Sequence, residues 1–345
     1  MHRPSRARAR ADSLAVSLAI TLAAASSAPA LAQTVTLKFA SFEPPQAPFT
    51  ARVFATWAED VTRASNGALK VELFAGGTLG RNPLQQFKLV QDGVADIAWV
   101  VPGYTPGRFD DTEVAELPFL VRSAMEGGKV FSRLLAKDQL VGFADIKVLM
   151  LAMVPPVNIH TRFPLKSLTD LKGKRLRVGS TVGSKIAEAL GAVPVLIGAP
   201  NTAEALSKGV VDGTFAEWVF VQAFKIDEVT QQHTLTPLGG TAVMIPMLKK
   251  RFDALPPAAK AAIEKHGGAA LLERFAAIAD GLQVSVPEAL AKRGKNTMYK
   301  PDKATEDAFR AAVQSVSDDW RKQKPRNDRV YRAFVAELEQ VRAGK

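Results

Sequence analysis

The chain has 345 residues, 47% of them hydrophobic and 23% charged, with a formal net charge of +11. Cysteine is absent, which excludes disulfides, thiolate metal sites and a cysteine nucleophile. This length and apolar content suffice for two lobes, each with its own core.

The first residues carry Arg3, Arg6, Arg8 and Arg10, then an apolar run from Leu14 to Ala25. That run is rich in Ala and Ser and shorter than the roughly 20 residues that span a bilayer. Ala30-Leu31-Ala32 before Gln33 fits a small-x-small cleavage site. Residues 1–32 therefore read as a secretory signal peptide, cleaved near Ala32/Gln33. No Arg-Arg pair is present, so the general export route into a bacterial periplasm is expected. The signal holds four Arg and one Asp, so the remainder carries +8. Export and the scatter of the basic residues argue against nucleic acid and leave an acidic surface or an anionic ligand as the partner.

Along the mature chain, Thr34 to Ala40 alternates as a strand, and Pro44, Pro45 and Pro48 break it. Phe49 to Ala64 has helical spacing, and Leu69 to Phe74 reads as a second strand. Gly76, Gly77 and Gly80 make a loop. Pro83 to Gln91 is a helix that Asp92-Gly93 turns into the strand VADIAWV. Ser123 to Leu135 is helical, Lys147 to Met153 is a buried strand, and Pro155-Pro156 marks a crossing between lobes.

KRLRV then alternates as a strand, with Leu176 and Val178 on one face and Arg175 and Arg177 on the other. The piece SKIAEALGAVPV is helical. A further helix closes at Gly209, and VVDG leads into another strand. Both halves thus run strand, loop, helix, Gly, Val-x-Asp, strand. That order implies mostly parallel sheets with ligand sites at the carboxyl ends of strands. Beyond Lys250 the chain is helical over 256–265, 269–291, 303–322 and 328–342, with a short strand at 296–299.

Arg177 sits on a strand that ends at a helix start, where a planar guanidinium can hold a carboxylate with two hydrogen bonds. The competing reading is a surface arginine at a sheet edge. Trp99 and Trp218 fall at matching strand ends, as cleft walls or as core. Tyr104 and Phe42 lie on loops after strands and are pocket candidates. Glu217 can accept a hydrogen bond from a ligand hydroxyl or amine. Buried, it needs a partner. No hydrolase, protease or nucleotide-binding motif is present, which leaves a periplasmic hydrolase of a carboxylate-containing substrate as the alternative function. His233 and His266 show no ligand spacing, and neither a metal nor a cofactor is expected.

The ordered set TLKFASFEPP, ASNGALKVELFAGGTLG, LVQDGVADIAWV, PGRFDDTEVAELPFL, SLTDLKGKRLRV and GVVDG resembles the solute-binding proteins of TRAP (tripartite ATP-independent periplasmic) transporters. The resemblance implies an α/β, two-lobe periplasmic-binding-protein (type II-like) fold with a hinge and long C-terminal helices. Lobe I would comprise 33–155 with a return segment at 244–283, and lobe II 156–243 with C-terminal helices at 284–345. It further implies a monomer that closes over a small organic acid and docks on TRAP membrane subunits, with Arg177 on the ligand carboxylate. Sugar-acid binders of that family carry a second arginine before the DLKG segment. Here the stretch reads VPPVNIHTRF, which puts Asn158 and His160 near the cleft and Arg162 a few residues late. His160 is then a pocket or hinge residue rather than a metal ligand. Ala216 stands where many relatives place an asparagine. These departures favour a smaller or more apolar carboxylate.

Overall fold

The computed structural model describes residues 34–345. The signal-peptide expectation for 1–32 lies outside them. Strands β1 (Val35–Ala40), β2 (Leu69–Phe74), β3 (Ile97–Ala98), β4 (Ile146–Val154) and β10 (Thr241–Leu248) form one sheet in the order β2-β1-β3-β10-β4. Strands β5 (Asn158–Thr161), β6 (Arg175–Val178), β7 (Val193–Leu196), β8 (Gly213–Ala216), β9 (Gln232–Thr234) and β11 (Thr297–Tyr299) form the other, in the order β11-β9-β5-β8-β6-β7. Two sheets, each flanked by helices, make the two-lobe α/β fold.

The first lobe starts as its sequence dictates. Leu37 and Phe39 of β1 are fully buried. β2 pairs with β1 in parallel from Val35↔Leu69 to Ala40↔Phe74. The connecting helix opens with a π-helical turn, Thr50–Phe54, and continues as α1 (Ala55–Ala64). Its Val53, Phe54, Trp57 and Val61 form one stripe, as 3.6-residue periodicity requires, and all are buried.

Two expectations need correction. The sheets are mixed rather than mostly parallel, because β10 runs antiparallel to β3 and β4, and β5 antiparallel to β8 and β9. Each of these strands belongs to a crossing between lobes, where the chain reverses. Val193–Leu196 is a strand, not the tail of a helix. Gly191, at φ 80°, ends the preceding turn, and β7 then pairs in parallel with β6. Arg175 and Arg177 share a strand face but not an environment, since β6 is buried from Leu176 onward and Arg175 is exposed.

Two chain crossings join the lobes. One runs from β4 through Pro155-Pro156 to β5, and the other returns into β10 through Gly239-Gly240. They hydrogen-bond to each other, Val157 N–H to Gly239 O at 3.0 Å and Leu238 N–H to Val157 O at 3.0 Å. Gly239 is required for this approach, because a Cβ there would lie 1.7 Å from the Glu116 carbonyl oxygen. Helix α2 (Ala124–Ala136) packs beside β4, and the long helix α5 (Gly268–Lys292) lies against both. Asp280 of α5 caps the first amides of α2, accepting from Ala124 N at 2.7 Å and Met125 N at 3.1 Å. Gln283 donates to Pro156 O at 2.9 Å and accepts from Trp218 N at 3.3 Å, tying α5 to both lobes.

Of the two C-terminal helices, α6 (Lys303–Gln323) packs on α3 (Thr181–Ala189) of the second lobe. The last, α7 (Pro325–Arg342), instead lies on α2 of the first lobe. Phe334 meets Phe131 edge-on at 5.4 Å, and Arg326 Nε holds both oxygens of buried Asp111 at 2.9 and 3.0 Å.

Candidate functional site

A cavity opens between the two sheets, at the ends of β1, β3, β6 and β8. It leaves about 90 Å³ open to the centre of a water-sized sphere.

Arg177, third in β6, lines this cavity and is 4% exposed. Its Nε donates to Ile197 O at 2.8 Å and its Nη1 to Phe215 O at 3.4 Å, so backbone from the neighbouring segments fixes the plane of the fork. The Phe220 ring lies 5.0 Å from the guanidinium carbon. Gly179, two residues on, leaves space at Nη2, where a Cβ would stand 3.3 Å away. Arg177 makes no ion pair with any described residue, and the Tyr104 phenol is its side-chain neighbour. A buried cation without a counter-ion is costly, and an incoming anion would relieve that cost. Arg175, by contrast, holds Asp212 on the outside, with Nη2–Oδ1 at 3.0 Å and Nε–Oδ2 at 3.2 Å. Burial thus separates two arginines that strand periodicity leaves equivalent.

Three carboxyl groups share the cavity, and burial is the largest influence on each. Glu217 precedes helix α4 (Trp218–Ala223) and is pushed up to about 7, with a backbone hydrogen bond and then the Arg177 charge opposing the shift. Glu43 follows β1 and is pushed up to about 8, with Glu217 adding to the rise and the Trp99 indole opposing it. Glu116 ends the turn Asp110–Glu116 and is also pushed up to about 8; the Ser180 hydroxyl, which donates to Oε2, opposes the rise. This hydrogen bond links the lobes, because Ser180 is the N-cap of α3 and also accepts from Gly183 N at 3.0 Å. Tyr104 lies beside Arg177, its phenol raised by burial and lowered by the guanidinium. Arg177 is the sole cation among the described lining residues.

The rest of the wall is apolar: Phe42, Phe49, Trp99, Phe215, Phe220 and Phe224. Trp99 is both wall and core, packed 4.9 Å from Phe54 and 5.9 Å from Phe275.

Of the sequence-expected residues, Arg177, Trp99, Glu217, Tyr104 and Phe42 come together here. Trp218, His160 and Asn158 do not. β5 runs inside its sheet with Asn158 to Thr161 all buried, and Asn158 pairs with Ala216 across the strands. The His160 ring is engaged on both nitrogens, Nδ1 with His233 Nδ1 at 2.7 Å and Nε2 with Ala216 O at 3.0 Å. Burial and the neighbouring His233 push it down to about 3, so it is neutral. Trp218 caps this pair from below, 4.8 Å from His160 and 5.2 Å from His233. It is a core residue, because helix α4 turns its first side chain away from the cleft. Sequence reading missed Glu43, Glu116, Ser180 and Phe220. Glu43 carried a signal, since it follows Phe42 directly at the end of a strand. Among the described residues, no group of three or more His, Asp or Glu could hold a metal.

The family model for bacterial extracellular solute-binding proteins of family 7 matches residues 39–323. A marine-metagenome TRAP solute-binding protein specific for aromatic acids, from an unidentified microbe, is 33% identical. Its structure, with 3-hydroxybenzoate, covers 89% of this chain and 99% of its own at a TM-score of 0.83. A TRAP solute-binding protein of Rhodoferax ferrireducens, with copurified benzoate, is 30% identical with the same coverage and a TM-score of 0.82. The C4-dicarboxylate-binding periplasmic protein DctP of Rhodobacter capsulatus is 27% identical over 257 residues, 70% of this chain and 73% of the relative. These proteins are transport receptors rather than enzymes, which sets aside the hydrolase alternative. A two-lobed chain with a buried, unpaired arginine facing an interlobe cavity therefore belongs to family 7 of the bacterial extracellular solute-binding proteins, the receptors of TRAP transporters.

Proposed function

We propose that this chain is a periplasmic receptor for single-ring aromatic monocarboxylates. The observation that carries the reading is Arg177, a buried guanidinium with its fork held in plane and no ion pair to any described residue. A ligand carboxylate completes it with charge-assisted hydrogen bonds. Trp99, Phe42 and Phe220 give the ring apolar surface. One cation suits one carboxylate, and no second cation lines the described cavity to balance another. The ligands of the two solved relatives support this class.

In this reading Glu217 and Tyr104 flank the carboxylate, while His160, Asn158 and Trp218 support the floor rather than touch ligand. The chain is exported by the signal at 1–32, works as a monomer, and closes about the crossings at Pro155-Pro156 and Gly239-Gly240. The closed receptor then hands its acid to TRAP membrane subunits.

Calorimetric titration of the mature protein against benzoates, phenylacetates, succinate and galacturonate tests the reading. The single-ring monocarboxylates are expected to bind at least a hundredfold more tightly than succinate or galacturonate. A preference for either of the latter would reject it.

A further inference from the structure

We infer that Glu43 selects the ligand's second substituent, so that the site prefers ring-hydroxylated monocarboxylates over unsubstituted or alkylated ones. This rests on the reading that an aromatic monocarboxylate sits on Arg177.

Glu43 is 6% exposed and lines the cavity. The Trp99 indole faces its carboxyl group, but Glu43 Oε2 is buried with no hydrogen-bond partner among the described residues. Buried acceptors are nearly always satisfied, and an unmade bond here leaves a place for a donor brought by the ligand. Glu43 and Arg177 line the same cavity from different sheets, Glu43 from the segment after β1 and Arg177 from β6, so a ligand anchored on Arg177 can turn its other end toward Glu43.

The other two acids are less suited. Glu116 Oε2 already receives the Ser180 hydroxyl, and Glu217 sits within the field of Arg177. A second carboxylate on the ligand would meet Glu43 and Glu217 with no cation to balance it. A methyl would fill the space and leave Oε2 unpaired. Burial holds the Glu43 carboxyl largely neutral at pH 7, so it can both accept from and donate to a hydroxyl. A charged ammonium would need it ionised.

The test is calorimetric titration of the intact mature protein with benzoate and its 3- and 4-hydroxy and 3- and 4-methyl derivatives. In the wild type, the better hydroxy acid is expected to bind at least tenfold more tightly than the methyl acid substituted at the same position. Glu43→Leu should abolish this advantage, so that the matched hydroxy and methyl acids bind the variant within threefold of each other. A wild type that binds the matched methyl and hydroxy acids equally overturns the inference, whatever the variant does. A Glu43→Leu protein that keeps the tenfold preference overturns it as well, by assigning the preference to another group. Binding of none of the five acids instead rejects the aromatic-monocarboxylate reading itself, and this inference with it.

Discussion

Replacing Arg177 with alanine perturbs two things at once, and the structure separates them. In the free protein, Ile197 O loses the Arg177 donor, whereas Phe215 O keeps the Thr214 hydroxyl at 3.0 Å. An unsatisfied buried acceptor costs about 1–3 kcal/mol, partly offset because a buried unpaired cation is also removed. The variant should therefore fold but unfold at a lower urea concentration, with an unchanged m value. In the complex, the ligand carboxylate loses its counter-ion in a water-poor cavity. Truncating one partner of a buried charge pair costs about 2–5 kcal/mol, or about thirtyfold to several thousandfold in affinity. Arg177→Lys should recover only part of this, because an ammonium cannot bond Ile197 O and also present a planar fork. Arg175→Ala is the control. It disrupts the pair with Asp212 on the outside and should leave affinity within twofold. Titration calorimetry of the three variants with one confirmed aromatic acid, on samples whose circular dichroism matches wild type, gives the answer. Arg177→Ala binding within threefold of wild type would refute the clamp. Loss of binding in Arg175→Ala alone would show that the wrong arginine was chosen.

Three further outcomes follow from the same geometry. Glu217 stands at about 7 in the free protein, and a ligand carboxylate beside it raises it further, so the complex holds more proton than the free protein. Affinity should then be greatest below pH 7 and fall as pH rises through 7 and beyond; affinity that rises over pH 6–8.5 would contradict this sign. Glu43 and Glu116 are raised from the ordinary 4.5 to about 8, so their contribution to stability is intact below pH 4.5 and lost as pH climbs to 8. The urea midpoint of the ligand-free protein should decline over that window, and a midpoint that rises would count against buried neutral acids. Gly239→Ala forces a Cβ against the Glu116 carbonyl, 1.7 Å away before relaxation, so roughly 1–3 kcal/mol of stability should be lost, and an unchanged melting temperature would deny the close approach.

The fold was readable where local periodicity and tertiary environment agree. The β1–α1–β2 unit, the buried β4 and the long C-terminal helices all show their spacing in sequence. Reading failed where long-range pairing decides. Thr241–Leu248 is apolar enough for a strand or a buried helix, and only its antiparallel partners β3 and β4 settle it. Val193–Leu196 follows a helix closely and becomes a strand because β6 offers an edge. At the site, Arg177 and Glu217 were legible from their place at strand ends. The alternation that made Arg175 its equal is broken by the end of the sheet, which no local pattern records. Trp218 and His160 lie near the right strand ends, but their side chains meet His233, 73 residues from His160 in sequence. Glu116 and Ser180 meet across the lobes, so neither is informative alone.

A crystal structure of the mature protein with its tightest-binding acid tests whether Arg177 receives the carboxylate of a single-ring acid enclosed by both lobes. Both carboxylate oxygens are expected at about 2.7–2.9 Å from the Arg177 fork, with the ring among Phe42, Trp99 and Phe220 and the lobes closed. A carboxylate bound elsewhere, with Arg177 facing only backbone or water, would contradict it.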